Sequence, residues 1–427
     1  MFKDKLWIRP IAAALLSLGL IIGMTGCGKN ESVKEQSSNP YVQTEKEDDS
    51  DSTDGQIVTD ETQIKAMASA IMKKMTLEEK LGQMFIVNLE QLDNGKGDYY
   101  EYRKATKTMK QSLEELPVGG VILFARNIEM VDQTKKLITD LQGSSKIPMF
   151  ISVDEEGGDV ARIGNNSNMN TTTFPPMEEV GEKKDEAYAY DMGVTIAKDI
   201  KELGFNLDFA PVADVKTNAE NKEIGNRAFG SDADLVSDMV EQVTLGIQSQ
   251  GISATLKHFP GHGSVSEDTH QAPVNAETDL MTLRETEFKP FKAGIDAGAD
   301  FVMVSHISIS KVTGDTEPAS MSETAIQKML RDELHFEGVV ITDALDMGAI
   351  TTAYEPGEAA VNCVKAGEDM LLMSTDFKEA YKALFDAVIN GEIAEAQIDE
   401  SVMRILMVKL RRGLILENTD LLAEESQ

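Results

Sequence analysis

Eight short runs of apolar and β-branched residues recur along the chain, each followed by a longer amphipathic stretch: residues 84–88, 120–124, 149–154, 206–211, 254–259, 301–306, 339–343 and 370–374. Runs this short and this apolar read as strands buried on both faces. The intervening stretch 231–250 reads as a helix, because Leu235, Met239, Val243 and Ile247 recur every four residues and Gly251 stands where a helix ends. Strands that alternate with helices pair in parallel, and eight βα units are the number that closes a (β/α)8, or TIM, barrel. The expected fold is therefore α/β, a single barrel. The first and last runs start 286 residues apart (370 minus 84), about 41 per unit over seven intervals. A 250-residue barrel needs roughly 31 per unit, so some loops after the strands must be long. The competing architecture is a two-lobed solute-binding protein.

The strand ends favour the barrel. Asp154 closes the third run, Asp214 follows the fourth, Lys257 and His258 end the fifth, His306 closes the sixth and Asp343 the seventh. Barrel active sites are built where strands end, so polar residues recurring there read as a site. Of the five histidines, His258, His262, His270 and His306 fall at these ends or in the loop after the fifth run; only His335 does not.

Charge narrows the function classes. Lys+Arg 41 against Asp+Glu 73 gives a net charge of -32, a field that repels phosphate backbones and anionic headgroups. Nucleic-acid binding and polybasic membrane attachment are excluded as expectations. Two cysteines build neither a disulfide framework nor a cysteine-rich zinc site. Cys363 shares a helical face with Ala359, Ala360 and Val364 and reads as a core thiol.

The N-terminus reads as an export segment. Lys3, Lys5 and Arg9 precede an apolar run, 11–24, which is of signal-peptide length and short for a membrane span. It ends in Met24-Thr25-Gly26-Cys27, which resembles the bacterial lipobox. That resemblance implies a signal peptide at 1–26 and lipidation of Cys27, with the chain anchored by lipid alone on the extracytoplasmic face of the cell membrane. The segment 28–61 carries ten acids and three lysines, a net -7, and reads with Cys27 as an acidic disordered linker (27–61). The barrel is expected over 62–413, followed by an acidic tail at 414–427.

The richest stretch is Lys257-His258-Phe259-Pro260-Gly261-His262-Gly263-Ser264-Val265-Ser266-Glu267-Asp268-Thr269-His270. His258 and His262 have the spacing of a helical metal site, but Pro260, Gly261 and Gly263 oppose a helix, so no metal is expected. Asp268 and His270 stand two apart, which in extended backbone puts both side chains on one side. A carboxylate beside an imidazole fixes its tautomer and raises its basicity, giving a general acid/base; the plainer alternative is a turn Asp beside a solvated His.

This stretch resembles the signature of family 3 glycoside hydrolases, in the β-N-acetylglucosaminidase (β-N-acetylhexosaminidase) branch. Supporting segments are Gly119-Gly120-Val121-Ile122-Leu123-Phe124, Asp154-Glu155-Glu156-Gly157-Gly158 with Arg162, Asn226-Arg227-Ala228-Phe229-Gly230, and Val340-Ile341-Thr342-Asp343-Ala344-Leu345. The resemblance spans about 62–413. It implies a retaining enzyme in which Asp343 is the nucleophile and His270, oriented by Asp268, is the acid/base, in place of the usual two carboxylates. Asp154, Arg162, Arg227, Lys257 and His258 match positions that bind the terminal sugar, while Asp214 and His306 read as supports behind them. In a regular strand Lys257 and His258 point to opposite faces, so the strand must bend or bulge there if both reach the sugar. No cofactor is implied. Only 84 residues follow Asp343 (427 minus 343), which is taken to leave no room for the second domain that supplies the acid in the β-glucosidase branch.

Two positions depart from the family pattern: Glu155 stands where a neutral residue is usual and Asp159 where an arginine is usual. The expected substrates are N-acetylglucosaminides such as muropeptides. The alternatives are phosphorolysis, with phosphate as acceptor, and a catalytically inactive sugar-binding lipoprotein. The sole tryptophan, Trp7, lies in the export segment, which favours recognition of one terminal sugar by charged groups rather than stacking of an extended glycan.

Overall fold

The computed structural model describes residues 57–422 except Asp98. The export segment, Cys27, almost all of the acidic linker and the last residues of the tail lie outside the described residues. No helix among the described residues is long and apolar enough to cross a membrane.

All eight expected strands form: β1 (Phe85–Val87), β2 (Gly120–Ile122), β3 (Phe150–Val153), β4 (Leu207–Asp208), β5 (Ser253–Phe259), β6 (Phe301–Val304), β7 (Val339–Ala344) and β8 (Met370–Leu372). They pair in parallel in sequence order and close when Phe85 of β1 pairs with Leu371 of β8. The solute-binding alternative, which needs two open sheets, does not hold. Strands β1 to β6 and β8 are buried along their whole length, which is why they read as continuous apolar runs rather than alternating ones.

The helices cover this barrel. The segment predicted from its four-residue repeat is the helix Ala233–Ser249, capped by the Asp232 carboxylate, which accepts from Leu235 N at 3.5 Å and Asp234 N at 3.0 Å. Gly251 follows it with φ +78°, a conformation suited to glycine. It packs on the helix Glu186–Leu203 where Gly193 and Gly246 meet; a Cβ on Gly193 would stand 2.6 Å from Val243 O, so only glycine allows the close crossing. Cys363 is buried in the helix Pro356–Ala366, as its apolar neighbours implied.

The N-terminal end of the barrel is closed by Lys409, from the helix Glu395–Arg411. Its buried ammonium donates to Gln83 Oε1 (2.7 Å) and Gly119 O (3.0 Å) and lies 5.0 Å from the centre of the Phe150 ring. The folded body also extends past the limits expected from composition: Val58 is 4% exposed and Ile415 1%.

The extra length per unit sits in the loops after β3, β4 and β5. The first holds a two-stranded hairpin, Glu155–Gly157 with Val160–Ala161. The second and third run from Phe209 to Asp232 and from Pro260 to Asp279 before their next helices begin. These loops stand at the carboxyl ends of the strands, where a barrel carries its site.

Candidate active site

A cavity of about 360 Å³ opens at those carboxyl ends. Its wall contains Asp154, Arg162, Arg227, Lys257, His258, His270 and Asp343, with an apolar side made by Ile122, Phe124, Met303, Leu372 and Met373. Residues from the ends of β2 to β8, or from the loops after them, thus converge on one space although they are far apart in sequence.

The floor is a network of charges. Lys257 donates to Asp154 Oδ1 at 2.9 Å and lies 2.7 Å from Glu156 Oε1. Arg227 grips Glu156 with two bonds, Nε to Oε2 at 2.9 Å and Nη2 to Oε1 at 2.7 Å. Arg162 Nη2 reaches Asp154 Oδ2 at 3.4 Å. Burial alone would raise the Glu156 carboxyl, but Arg227 and Lys257 outweigh it and hold the group well below its ordinary value. Asp154 is lowered for the same reason, with Lys257 and then Arg162 overcoming burial. Paired in this way, Lys257 and Arg227 remain charged although they are largely buried, and can offer strong hydrogen bonds to hydroxyls.

β5 does bend where both its polar residues must face the cavity. The register against β6 shifts between Leu256 and Phe259, and the Lys257–His258 peptide is cis. His258 is then set from behind: Asp214, fully buried, lies 2.7 Å from its Nδ1 and also accepts from His262 N at 2.6 Å. Asp214 does not line the cavity. Neither does His306, which is buried between Ser320 Oγ (2.8 Å) and Ala344 O (3.0 Å) and so braces the backbone beside Asp343. Both therefore stand behind the wall. His258 and His262 stand ring to ring at 6.1 Å, and each is already engaged by a carboxylate.

His270 stands at the rim, its side chain 62% exposed. Asp268 Oδ1 lies 2.8 Å from its Nδ1 and accepts from its backbone N at 2.9 Å; the pair meets through a turn, with Gln271 N donating to Asp268 O at 3.1 Å, rather than through the extended backbone expected. Glu223, from the loop after β4, adds a second carboxylate 3.3 Å from Nδ1. The Glu223 contact and then Asp268 overcome partial burial and push the imidazole up to about 9. Among the described residues Glu223, Asp268 and His270 have ligand-type atoms within 4.8 Å of one another, and both carboxylates lie against His270 Nδ1. Asp343, half-buried, accepts from Ala344 N at 2.7 Å. Three residues on, burial and the Asp343 charge push Asp346 up to about 6.

The two departures from the family pattern have different surroundings. Asp159 is exposed, accepts from Asn226 Nδ2 at 2.9 Å and does not line the cavity. Glu155 is buried and caps the hairpin loop, accepting from Ile163 N (2.8 Å) and Gly164 N (2.7 Å); burial pushes it up to about 7.

Sequence reasoning missed several residues of the wall. Glu156 was signalled by its place two residues after Asp154, at a strand end. Glu223 had only its position four residues before Arg227. Tyr99 and Arg126 carried no signal. Arg126 bonds Glu90 at 2.8 Å and lies over the rings of Phe124 (4.3 Å) and Tyr99 (5.5 Å). Tyr99, 76% exposed, Arg126 and Asp346 are shared with an adjoining cavity of about 350 Å³ that reaches Asn88, Gln91 and Phe377. An aromatic surface is thus present at the mouth although no tryptophan lies among the described residues.

Comparison with known proteins agrees with this geometry. The chain is 31% identical over 379 residues to "Beta-hexosaminidase A" of Pseudoalteromonas piscicida, covering 81% of this chain and 63% of that protein. It is 33% identical over 298 residues to a "Beta-hexosaminidase" of Idiomarina loihiensis, covering 70% and 88%. A solved glycoside hydrolase family 3 beta-N-acetylglucosaminidase from Paenibacillus sp. str. FPU-7 superposes with a TM-score of 0.74 at 36% identity, covering 80% of this chain and 63% of that one. The chain thus spans less than two thirds of two of these relatives. The family model described as the glycosyl hydrolase family 3 N-terminal domain matches residues 76–408, and the chain belongs to that family.

Proposed function

We propose that the protein is a retaining exo-β-N-acetylglucosaminidase that removes terminal N-acetylglucosamine from peptidoglycan-derived muropeptides or related glycans. The observation that carries the reading is the single cavity in which Asp343 and His270 stand above the floor of paired charges. The beta-hexosaminidase names of the relatives support the choice of sugar.

In this reading the sugar's hydroxyls bond to Asp154, Arg162, Arg227, Lys257 and His258, and a site built for hydroxyls rejects analogues that lack them. Asp343 attacks the anomeric carbon while His270 Nε2–H protonates the departing oxygen, giving a glycosyl-enzyme ester and a neutral imidazole. Nε2 is the nitrogen free for this role because Nδ1 is occupied by Asp268. The imidazole then takes a proton from the acceptor, whose oxygen displaces Asp343.

Replacing Asp343 by Ala abolishes release of p-nitrophenol from p-nitrophenyl N-acetyl-β-glucosaminide; full activity in that variant overturns the assignment. Adding phosphate separates the acceptors: free N-acetylglucosamine means hydrolysis, its 1-phosphate means phosphorolysis. Tight binding of the sugar without turnover would return the inactive sugar-binding reading. The proposed location, lipid-anchored at Cys27 outside the membrane, rests on the sequence of the export segment; radiolabelled palmitate incorporated by the natural chain and not by Cys27→Ser tests it.

A further inference from the structure

We infer that Glu223 is a positioning residue for His270: it ties the exposed acid/base loop to the barrel and keeps the imidazole's Nδ1–H directed at carboxylates. The inference rests on the acid/base reading of His270 given above.

The geometry divides the work between the two acids. Asp268 belongs to the same exposed loop as His270, so it can set the ring relative to the loop but moves wherever the loop moves. Glu223 comes from a different wall, and its side chain is 10% exposed against 40% for Asp268. Its two oxygens take Thr269 N at 2.9 Å and Thr269 Oγ1 at 2.7 Å, while Oε1 stands 3.3 Å from His270 Nδ1. Thr269 is fully buried by this grip although His270 beside it is exposed. The segment that carries Glu223 is itself pinned, since Asn221 accepts from Ile224 N (2.9 Å) and donates to His262 O (2.8 Å). A second tether comes from the loop after β7, where Gly348 N donates to His270 O at 3.0 Å.

The charged groups facing His270 come from three elements: Asp268 from its own loop, Glu223 from the loop after β4, and Asp346 with Asp343 from the end of β7. His262 lies behind Glu223, 3.5 Å from its Oε2. The acids all favour imidazolium, and Glu223 contributes most to the elevation of His270. The consequence is an acid that remains protonated well above neutral pH.

The test is the pH profile of kcat/KM for the full chain and for Glu223→Gln, which keeps the shape and an acceptor for Thr269 but removes the charge. The alkaline limb is expected to move down by about one unit, a tenfold change in the protonation equilibrium. The loss at pH 8 should be at least tenfold for methyl N-acetyl-β-glucosaminide and small for the 2,4-dinitrophenyl glycoside, whose leaving group needs no acid. Glu223→Asp, which retains the charge, should keep the limb near its original position. An unmoved limb in Glu223→Gln, with equal losses on both substrates, overturns the inference. His270→Ala on the same two substrates separates the premises. If its loss is larger for the methyl glycoside, the acid role of His270 stands and the Glu223 result is read alone. If its losses are equal, that role falls and the Glu223 inference falls with it.

Discussion

Glu156→Gln is the substitution whose effect can be worked out most fully. The carboxylate is 1% exposed and receives three bonds from charged donors, two from Arg227 and one from Lys257. Gln keeps the shape but not the charge, and its NH2 group must face a guanidinium or an ammonium that can only donate. Lys257 keeps Asp154, which it already shares with Arg162, so the buried Arg227 guanidinium is left without a carboxylate partner. Breaking a buried pair in this way costs roughly 3 to 5 kcal/mol, against a total stability of about 5 to 15 kcal/mol. Because Arg227 and Lys257 are also the proposed contacts to the sugar, kcat/KM should fall by about a hundredfold, or ~2.7 kcal/mol. Denaturant unfolding at pH 7 and aryl-glycoside kinetics measure the two effects. The sign of the pH dependence is fixed: a carboxyl held below its ordinary value contributes stability above the unfolded pKa that is lost as pH falls through the folded one. The gap between the natural chain and the variant should therefore be constant above about pH 5 and close in stronger acid. A variant less than about 1 kcal/mol weaker at pH 7, with normal kinetics, would refute the account of the floor.

Other consequences follow from single contacts. A Cβ on Gly348 would fall 2.6 Å from both His270 O and Gln271 O, so Gly348→Ala should displace the loop that carries the proposed acid/base and cut kcat at least about tenfold in a protein that still unfolds cooperatively. Burial pushes Lys409 down to about 7 whereas an unfolded lysine stays near 10.4, so the unfolded state binds more protons between those values. The natural chain should accordingly gain stability relative to Lys409→Met as pH rises from 7 to 10, measured by urea unfolding. Tyr99 is exposed at the mouth shared by the two cavities, so Tyr99→Ala should leave stability within about 0.5 kcal/mol while raising KM several-fold for a disaccharide more than for an aryl glycoside.

The barrel was legible because its strands are short, apolar on both faces and separated by strongly periodic helices, as the helix Ala233–Ser249 illustrates. The polar strand ends were legible for a related reason: Asp154, Lys257 and Asp343 put charges into runs made mostly of apolar and β-branched residues. Glu156 and Glu223 were harder because, in a chain with 73 acidic residues, position near a strand end or an arginine is a weak signal for one more carboxylate until its partners are in place. Both act across the fold, 71 residues from Arg227 in one case and 46 from Thr269 in the other. Lys409 had a similar disguise, since a lysine late in an amphipathic helix ordinarily faces water. The limits of the folded body were misjudged for a different reason: polar composition hid the few residues, Val58 and Ile415, that reach the core.

The most direct test of the proposed chemistry is to trap the glycosyl-enzyme. A ring-fluorinated N-acetylglucosaminyl donor with a good leaving group slows the second step, and intact-protein mass spectrometry followed by peptide mapping locates the sugar. A single glycosyl adduct on the peptide bearing Asp343, absent from Asp343→Ala, is the predicted result. An adduct on Asp346 or Glu156, or steady turnover with no covalent species, would contradict it.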